Sequence, residues 1–496
     1  MTAVYYIILA AYSLVLIYIT IYCLIQFQLL FYYQKSHHRP AERKNDPQQS
    51  LHQHPLVTVQ LPVYNERYVI ARLIDAVCAF VYPKSKIEIQ ILDDSTDDTV
   101  AIVAGKVKEY QDKGFDIVQI RRENRKGYKA GALRDAMPKT KGAFIAIFDA
   151  DFLPEPDFLT RTMPYFNDPE IGVVQTRWEH INRDYSLLTR LQAMQLNVHF
   201  TIEQQGRRAA DQMLQFNGTA GIWRKKTIED AGGWADDTLT EDLDLSIRAQ
   251  LKGWKIQYLE DVGSPAELPA EMNGFKSQQF RWMKGGAETA KKMLPAVWQS
   301  PLPMRKKIHT TFHLLSSTLF VFVFMLGILS VPLLLAVRGL HIDTNIFSVF
   351  IIGTLSIIWV YYVANVTNEF TNPKKSFWRD LVKFTFLFPV FLAMSMGLSL
   401  HNTIAVLQGY WGRKSEFVRT PKFNIQSIRD SFRKSTYHSK SIRWTTIIEG
   451  LLCLYFVYAV FLGYRLHDRS MVLFHVLLAI GYGSIFFYSI KHVNVK

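Results

Sequence analysis

The sequence predicts an α/β domain with a mostly parallel β-sheet, joined to an α-helical domain that crosses a membrane several times. Short β-rich runs alternate with helical segments between residues 56 and 295, as they do where crossover helices connect parallel strands. Long apolar runs stand on both sides of this region, and several are long enough to span a bilayer. The chain has 496 residues, of which 49% are hydrophobic, so it has room for both domains.

Residues 1–34 form a predicted transmembrane helix. The run 4–33 carries no charged side chain and lacks the basic start and small-residue cleavage site of a signal peptide, so we expect it to be retained. Basic residues follow at 35–44, and positive charge marks the cytosolic end of such a helix. Residues 35–55 form a polar linker whose paired histidines could bind a metal. We interpret it instead as a solvated linker.

Five β-rich runs predict the strands of the α/β domain; they cover residues 57–61, 87–92, 116–120, 143–148 and 172–175. Polar residues follow the first, second and fourth runs in the sequences PVYNE, DDSTD and DAD. Ligands of open α/β sheets bind beyond the carboxyl ends of the strands, so we expect the functional site there. No G-x-G-x-x-G follows the first run, which argues against a dinucleotide dehydrogenase.

Asp149 and Asp151 directly follow a predicted buried strand. Carboxylates that converge at one sheet edge repel one another unless a cation lies between them. A hard divalent ion that completes its shell with water and phosphate oxygens would suit this position, which predicts Mg²⁺ or Mn²⁺. Lys126, Gly127 and Lys129, in the sequence RKGYKAGAL, could contact a diphosphate or mark an ordinary basic helix start; both interpretations remain open.

A third group of polar residues lies between positions 240 and 282. Asp242 stands directly before an apolar helical pattern, so its carboxylate is expected at a helix N-terminus and ionised. Gln278, Arg281 and Trp282 are spaced i, i+3, i+4, which places them on one face of a second helix. Such a face suits an anionic, sugar-bearing ligand. The alternative is a capped surface helix with an interfacial tryptophan.

Five apolar runs follow residue 308; they cover residues 312–337, 346–366, 381–400, 446–464 and 471–490. Basic residues flank the run 381–400 on both sides, which disfavours a full crossing. We therefore expect that run to be interfacial or re-entrant, and residues 296–496 to contain about four transmembrane helices. The net charge of +14 comes largely from basic residues beside apolar runs, so it does not indicate a nucleic-acid partner. Three scattered cysteines imply neither a disulfide framework nor a zinc site.

The motifs LPVYNE, LDDSTD, NRKGYKAGAL, AIFDADFLPEPDF, FNGTAGIWR, GGW, TED, LKGWK and QQFRW follow one another in order. In this the chain resembles the inverting, processive family 2 glycosyltransferases of the cellulose synthase superfamily. It most resembles the cellulose synthase-like A and C branches, which make β-1,4-mannan or glucomannan and the β-1,4-glucan backbone of xyloglucan. The resemblance covers residues 56 to about 292 and implies a cytosolic GT-A-type, Rossmann-like catalytic domain at 56–295. The sequence FNGT at 216–219 departs from cellulose synthases, which leaves the acceptor subsite undefined.

The resemblance implies a role for each motif residue. Tyr64, Glu66 and Asp94 would hold the nucleotide, and Asp149 and Asp151 would bind Mg²⁺ or Mn²⁺ against the diphosphate. Asp242 would be the general base, with Glu241 as a second catalytic residue; Gln278, Arg281 and Trp282 would hold the leaving diphosphate and the terminal sugar. The further substrate-binding residues would be Asp93, Lys129, Asn217 and Gly218. The segment 413–422 resembles the F-x-V-T-x-K gating loop through Phe417, Thr420 and Lys422, with Arg419 in place of the usual valine. An ordinary basic juxtamembrane loop is the alternative.

The resemblance implies an inverting processive enzyme that polymerises hexose from UDP-glucose or GDP-mannose into a β-1,4-linked glycan and translocates it. A non-processive enzyme that makes a glycolipid is the alternative. A transporter with a nucleotide-sensing domain is disfavoured, because the later apolar runs carry few charges that could mark an ion path. The expected partners are the nucleotide sugar, a glycan acceptor, the bilayer and accessory export subunits. The expected location is the plasma (inner) membrane or the Golgi membrane.

Overall fold

The computed structural model describes residues 2–38, 54–342, 344–370, 376–415, 419–425 and 444–491. Its α/β domain is built on a seven-stranded sheet in the order β3-β2-β1-β4-β6-β5-β7. The strands are β1 Val57–Val63, β2 Ile87–Asp93, β3 Asp116–Ile120, β4 Phe144–Ile147, β5 Ile171–His180, β6 Gly221–Arg224 and β7 Lys255–Ala266. Strand β6 is antiparallel to both neighbours, and the other strand pairs are parallel. The predicted mostly parallel sheet is confirmed.

Helices precede, connect and follow these strands. They are α1 Thr2–His38, α2 Ile70–Cys78, α3 Thr99–Asp112, α4 Tyr128–Ala136, α5 Phe158–Thr162, α6 Leu187–Val198, α7 Gln205–Ala209, α8 Lys225–Asp230, α9 Glu241–Leu251, α10 Met272–Gln299, α11 Met304–Leu314, α12 Leu319–Gly339, α13 Ile351–Tyr362, α14 Phe377–Gly397, α15 Ser399–Tyr410, α16 Trp444–Arg465 and α17 Val472–Lys491. A π-helical turn, His199–Gln204, joins α6 to α7. The predicted domain boundary at residue 295 falls inside α10.

Strand β4 shows why the strand runs are apolar throughout. Phe144 and Ala146 belong to the hydrophobic cluster on one face of the sheet, and Ile145 and Ile147 belong to the cluster on the other face. Side chains alternate along a strand, so a strand that is covered on both faces needs apolar residues at every position. Burying each large apolar side chain contributes about 1.5–3 kcal/mol. The covered sheet therefore provides a rigid base for the loops at its carboxyl edge.

Six helices in the described part of the chain are long and apolar enough to cross a membrane. They are α1, the continuous α11–α12 unit, α13 with its flanking turns, α14, α16 and α17. Helix α14 covers most of the run 381–400, which we predict not to cross the membrane. The helix is long and apolar enough to cross, but length and composition alone do not test whether it does. The run 381–400 itself is divided, because α14 ends at Gly397 and α15 begins at Ser399.

The segments before and after α14 both contact the α/β domain. Before it, Asn197 Nδ2 donates to Asn365 Oδ1 over 2.9 Å, and Asn368 Nδ2 donates to Glu260 Oε1 over 2.9 Å. After it, a ring nitrogen of His401 lies 2.9 Å from the carbonyl oxygen of Lys276 on α10. The polypeptide therefore returns to the α/β domain after α14.

A buried ion pair fastens α10 to the last two helices. Lys276 Nζ lies 2.8 Å and 2.9 Å from the carboxylate oxygens of Glu449 on α16 and 3.4 Å from Ser489 Oγ on α17. Both charged side chains are almost completely buried. Removing one partner of such a pair leaves an uncompensated buried charge, which costs about 3–5 kcal/mol. The pair thus fixes the helix that carries Gln278, Arg281 and Trp282.

Candidate active site

A cleft of about 220 Å³ opens beyond the carboxyl ends of β1, β2 and β4. Helices α4, α9 and α10 and the segment 419–422 close its other sides. The candidate site residues that the structure describes line this cleft, except Asp93 and, in the sequence RKGYKAGAL, Lys126 and Gly127. Phe417 lies outside the described residues. The structure thus brings together side chains that are more than 350 positions apart in the sequence, from Tyr64 to Lys422.

The turns after β1 and β2 are bonded to each other. Asn65 has a positive φ of 56°, its N–H donates to Ser95 Oγ over 2.8 Å, and its Oδ1 accepts from the N–H of Thr96 over 2.8 Å. Asn tolerates this left-handed conformation better than most residues do. The turn places Tyr64 and Glu66 at the mouth of the cleft.

Two arginines that were not among the predicted site residues contact Tyr64 and Asp94, which line the cleft. The guanidinium of Arg125 lies 3.3 Å from the ring centroid of Tyr64, in a cation–π contact. Arg122 donates from Nε and Nη2 to the two carboxylate oxygens of Asp94, over 3.0 Å and 2.5 Å. Arg125 belongs to the motif NRKGYKAGAL, whereas nothing in the sequence pattern linked Arg122 to Asp94.

Asp93 is buried behind this wall. Its carboxylate accepts from the N–H of Ser95 over 2.9 Å and from Gln119 Nε2 over 2.7 Å. These bonds fix the turn that carries Asp94. Asp93 therefore does not line the cleft, and its predicted role in substrate binding stays a prediction.

Asp149 and Asp151 lie at the edge after β4, and each faces a lysine. Lys129 Nζ is 2.5 Å from Asp149 Oδ1, and Lys422 Nζ is 2.7 Å from Asp151 Oδ2. Burial raises the pKa of Asp149, although Lys129 opposes the shift. The N–H of Asp149 donates to Thr219 Oγ1 over 2.8 Å, which ties this edge to the FNGT loop.

The two carboxylates fit a hard divalent cation. Mg²⁺ is commonly held by one or two carboxylates together with water and substrate phosphates, rather than by a full set of protein ligands. Within the described residues no three His, Cys, Asp or Glu side chains form a ready-made metal site. Two carboxylates lie in a cleft that is also lined by five cationic side chains: Arg125, Lys129, Arg281, Arg419 and Lys422. This combination agrees with a metal that binds together with a diphosphate.

Asp242 is the second residue of α9 and approaches the FNGT loop closely. A Cβ at Gly218, which has a φ of +80°, would lie 3.0 Å from Asp242 Oδ2, so only glycine fits without displacement. Burial, reinforced by the charge of Glu241, raises the pKa of Asp242 to about 7. The helix terminus was expected to keep this carboxylate ionised. Desolvation instead outweighs the helix dipole and places its titration near neutral pH.

Helix α10 brings the predicted polar face against α9 and the segment 419–422. Gln278, Arg281 and Trp282 all line the cleft. Arg281 Nη2 donates to Thr420 Oγ1 over 3.0 Å, and burial lowers the pKa of Arg281 to about 10, which still leaves it cationic at neutral pH. A Cβ at Gly285 would lie 2.6 Å from Thr240 Cγ2, so this glycine permits the close contact of the two helices.

The segment 419–422 is held in the cleft by ion pairs. Arg419 forms a bidentate pair with Glu66, with both N–O distances 2.8 Å. Burial raises the pKa of Glu66 to about 7 against the opposing effect of Arg419. Lys422 also donates to the carbonyl oxygen of Glu267. The sequence identified Arg419 only as a departure from a motif and gave no signal for its partner.

A second cavity of about 410 Å³ adjoins the cleft and extends between α1, α10, α12, α13 and α14. Both cavities are lined by Trp178, Asn217, Thr240, Asp242 and Trp282. The wall that faces α12, α13 and α14 is mostly apolar. The volume of this second cavity lies within the range of pockets that hold small ligands, roughly 300–1,000 Å³. We call it the membrane cavity.

Comparison with known proteins gives consistent matches. A family model described as glycosyltransferase like family 2 matches residues 54–285. Glucomannan 4-beta-mannosyltransferase 1 of Oryza sativa subsp. japonica is 37% identical over 410 residues, which cover 81% of this chain and 75% of the relative. Probable glucomannan 4-beta-mannosyltransferase 11 of Arabidopsis thaliana is 38% identical over 382 residues, which cover 74% of this chain and 81% of the relative.

A solved structure shares the fold. It is the mannosyltransferase PcManGT from Pyrobaculum calidifontis in complex with GDP-Man and Mn²⁺, with a TM-score of 0.53 and 18% identity. The match covers 81% of this chain and 100% of that chain.

Proposed function

The chain belongs to glycosyltransferase family 2 and is a hexosyltransferase, and from this premise we propose that it is a processive β-1,4-glycan synthase. In this proposal it transfers hexose from a nucleotide sugar to the end of a glycan, which it retains and moves into the membrane domain. The observation that carries the proposal is the membrane cavity, because it begins at Asp242 and Trp282 and continues between the membrane helices.

The favoured donor is GDP-mannose. The curated relatives are named glucomannan 4-beta-mannosyltransferases, and the solved mannosyltransferase of the same fold binds GDP-Man. The polar cleft with several cationic side chains suits the diphosphate of either GDP-mannose or UDP-glucose. The comparison of the two donors is therefore part of the test below.

The chemistry follows from the arrangement of the cleft. Asp242 takes the proton from the acceptor hydroxyl as that oxygen attacks the anomeric carbon of the donor. The bond from the anomeric carbon to the diphosphate breaks in the same displacement, so the configuration inverts and no covalent enzyme intermediate forms. A base with a pKa near the working pH is well matched to this proton transfer, and the pKa of Asp242 is about 7.

The leaving diphosphate is stabilised by positive charge. Arg281, Lys129 and Lys422 line the cleft beside Asp149 and Asp151. The two aspartates would hold a divalent cation, which when bound supplies charge neutralisation to the diphosphate. Arg419 and Thr420 connect the segment 419–422 to Glu66 and Arg281, so this segment forms a lid over the donor.

We assign five membrane crossings, which are α1, the α11–α12 unit, α13, α16 and α17. Helix α14 does not cross in this assignment: the chain enters and leaves it on the same side of the membrane. The polypeptide contacts the α/β domain both before α14, through Asn365 and Asn368, and after it, through His401 and Lys422. One full crossing in between would place these contacts on opposite sides of the bilayer.

Cysteine labelling tests this topology. In a variant whose native cysteines are replaced, Lys414→Cys should react with a membrane-impermeant maleimide only from the side of the α/β domain. His467→Cys, in the short connection between α16 and α17, should react only from the opposite side. Reaction of both positions from the same side, or of Lys414→Cys from the side opposite the α/β domain, would refute the assignment.

Product analysis tests the proposed reaction. Membranes that contain the protein are incubated with labelled GDP-mannose or UDP-glucose, and the products are separated into polymer and solvent-extractable lipid. We expect polymer that an endo-β-1,4-mannanase degrades, with long chains already present at early times. A single labelled glycolipid, or chains that grow one sugar at a time as enzyme is added, would favour the non-processive alternative.

Trp282→Ala should cut polymer formation severely, at least about tenfold. An indole stacks on the apolar face of a pyranose, and loss of an aromatic platform commonly costs about 1–3 kcal/mol or more. Trp298→Ala is the matched control, because Trp298 lies on the same helix but its indole bonds to Thr311 away from the cleft. Equal effects of the two substitutions would assign Trp282 a structural role only.

A further inference from the structure

We propose that one wall of the membrane cavity is a hydroxyl-binding subsite for the second sugar of the acceptor glycan, formed by Gln26, Asn217, His313 and Ser317. This inference rests on the proposed function, and it extends that function by naming residues that recognise the acceptor beyond its terminal sugar. The four residues come from α1, the FNGT loop, α11 and the turn that follows α11.

A network of hydrogen bonds fixes this wall. The His199 ring lies 2.8 Å from Glu203 Oε2 and 2.9 Å from Asn217 Oδ1, and Gln215 Nε2 donates to the same Asn217 oxygen over 2.7 Å. His313 Nε2 lies 2.7 Å from Gln215 Oε1. The chain of contacts joins the π-helical turn, the FNGT loop and α11. Because Asn217 Oδ1 is engaged by two neighbours, its amide is held in one orientation.

Four buried polar atoms on this wall have no partner in the described part of the protein. They are Gln26 Oε1, Asn217 Nδ2, His313 Nδ1 and Ser317 Oγ. Each residue lines the membrane cavity, and the side chains of Gln26, His313 and Ser317 are more than nine-tenths buried. A buried polar group without a hydrogen bond costs about 1–3 kcal/mol. A ligand that supplies the missing partners would recover this free energy.

The set of atoms matches sugar hydroxyls. The amide N–H group of Asn217 donates, and the amide oxygen of Gln26 accepts. His313 Nδ1 also accepts, because Nε2 carries the ring proton and donates to Gln215 Oε1. The serine hydroxyl can serve in either way. A hydroxyl group donates and accepts at once, so a row of hydroxyls can satisfy such a mixed set. The wall across the cavity is apolar and includes Val323, Ile357 and Leu392. A pyranose combines polar edges with apolar faces, whereas a lipid chain would leave all four polar atoms unsatisfied.

The position fits the second sugar. A terminal sugar whose hydroxyl faces Asp242 and whose ring rests on Trp282 must continue into the membrane cavity, because both residues also line that cavity. Gly286 lies one helical turn after Trp282, and a Cβ there would be 3.3 Å from Ser317 Oγ. A side chain at position 286 would therefore crowd the serine hydroxyl. In this proposal Asn217 binds the acceptor, which gives a function to the FNGT sequence, the segment in which this chain differs from cellulose synthases.

Acceptor kinetics test the subsite. The protein in nanodiscs is supplied with labelled GDP-mannose and with β-1,4-mannotriose as acceptor, and KM is measured for each substrate. We expect Ser317→Ala and His313→Leu each to raise the acceptor KM roughly tenfold, which corresponds to about 1.4 kcal/mol. The donor KM should change much less. His309→Leu, one helical turn before His313 and outside the membrane cavity, should leave both constants unchanged.

Ser317→Ala separates binding from folding. Among the described residues none bonds to its hydroxyl, so removing the hydroxyl should not lower the melting temperature. A raised acceptor KM with an unchanged melting temperature therefore supports the subsite. If the acceptor KM is unchanged in both variants while the unmutated protein still forms polymer, the subsite proposal is wrong and the proposed function stands. Absence of polymer from the unmutated protein, or a single lipid-linked product, would instead overturn the proposed function.

Discussion

Replacing Asp242 with asparagine should slow sugar transfer by roughly 10²–10⁴-fold, the range that general bases typically contribute. Asparagine keeps the shape of the side chain but cannot accept the acceptor proton. The affinity for the donor should change little, because Asp242 faces the junction of the cleft and the membrane cavity. Release of nucleoside diphosphate measures the rate, and calorimetric titration measures donor affinity. Loss of donor affinity with turnover intact would contradict the assigned role.

The same carboxylate predicts the pH dependence. Burial raises the pKa of Asp242 to about 7, so below that pH the base is increasingly protonated and inactive. The kcat of the unmutated protein should therefore fall about tenfold for each pH unit below 7 and level off above about 8. The residual rate of Asp242→Asn should lack this titration. Asp237→Asn is the matched control, because Asp237 is an exposed carboxylate in the loop before α9 and pairs with Lys292.

Removal of divalent cations should reduce activity by about 100-fold or more. Charge neutralisation at a transferring diphosphate contributes several kcal/mol, and each 1.4 kcal/mol corresponds to a factor of ten. EDTA should abolish most turnover, and Mg²⁺ or Mn²⁺ should restore it. Full activity in the presence of chelator would contradict the assignment of Asp149 and Asp151.

A direct binding measurement distinguishes a metal site from a general loss of activity. Mn²⁺ binding in the presence of GDP can be followed by electron paramagnetic resonance. Asp151→Asn should weaken it at least about tenfold, because one of two anionic ligands is lost. Asp157→Asn provides the control, since Asp157 is an exposed carboxylate in the loop that follows the same strand. Unaltered Mn²⁺ affinity in Asp151→Asn would place the metal elsewhere.

Features encoded within a few neighbouring residues were predictable. The runs at 57–61 and 87–92 became β1 and β2, because continuous apolar sequence is what burial on both faces requires. The spacing of Gln278, Arg281 and Trp282 placed them on one face of α10, since helical periodicity depends only on local geometry. The edge position of Asp149 and Asp151 followed from the strand before them.

Two strands escaped the sequence analysis for different reasons. Strand β6 has only four residues and is formed within the motif FNGTAGIWR, and it exists because β4 and β5 pair with it on both sides. Strand β7 carries Lys255, Glu260 and Asp261, which interrupt the apolar pattern, and its register with β5 shifts at two places. Both depend on partners distant in the sequence.

The sequence by itself determined the sheet type, the membrane helices and the motif residues, because each of these is written in local composition and periodicity. Only the tertiary structure decided which charges meet, how deeply they are buried and where cavities form. The pairing of Arg419 with Glu66 joins residues 353 positions apart. The pKa of Asp242 reflects desolvation by surrounding elements, and the membrane cavity needs helices as distant in the sequence as α1 and α14. Such properties arise from packing of the whole chain, which no short stretch of sequence specifies.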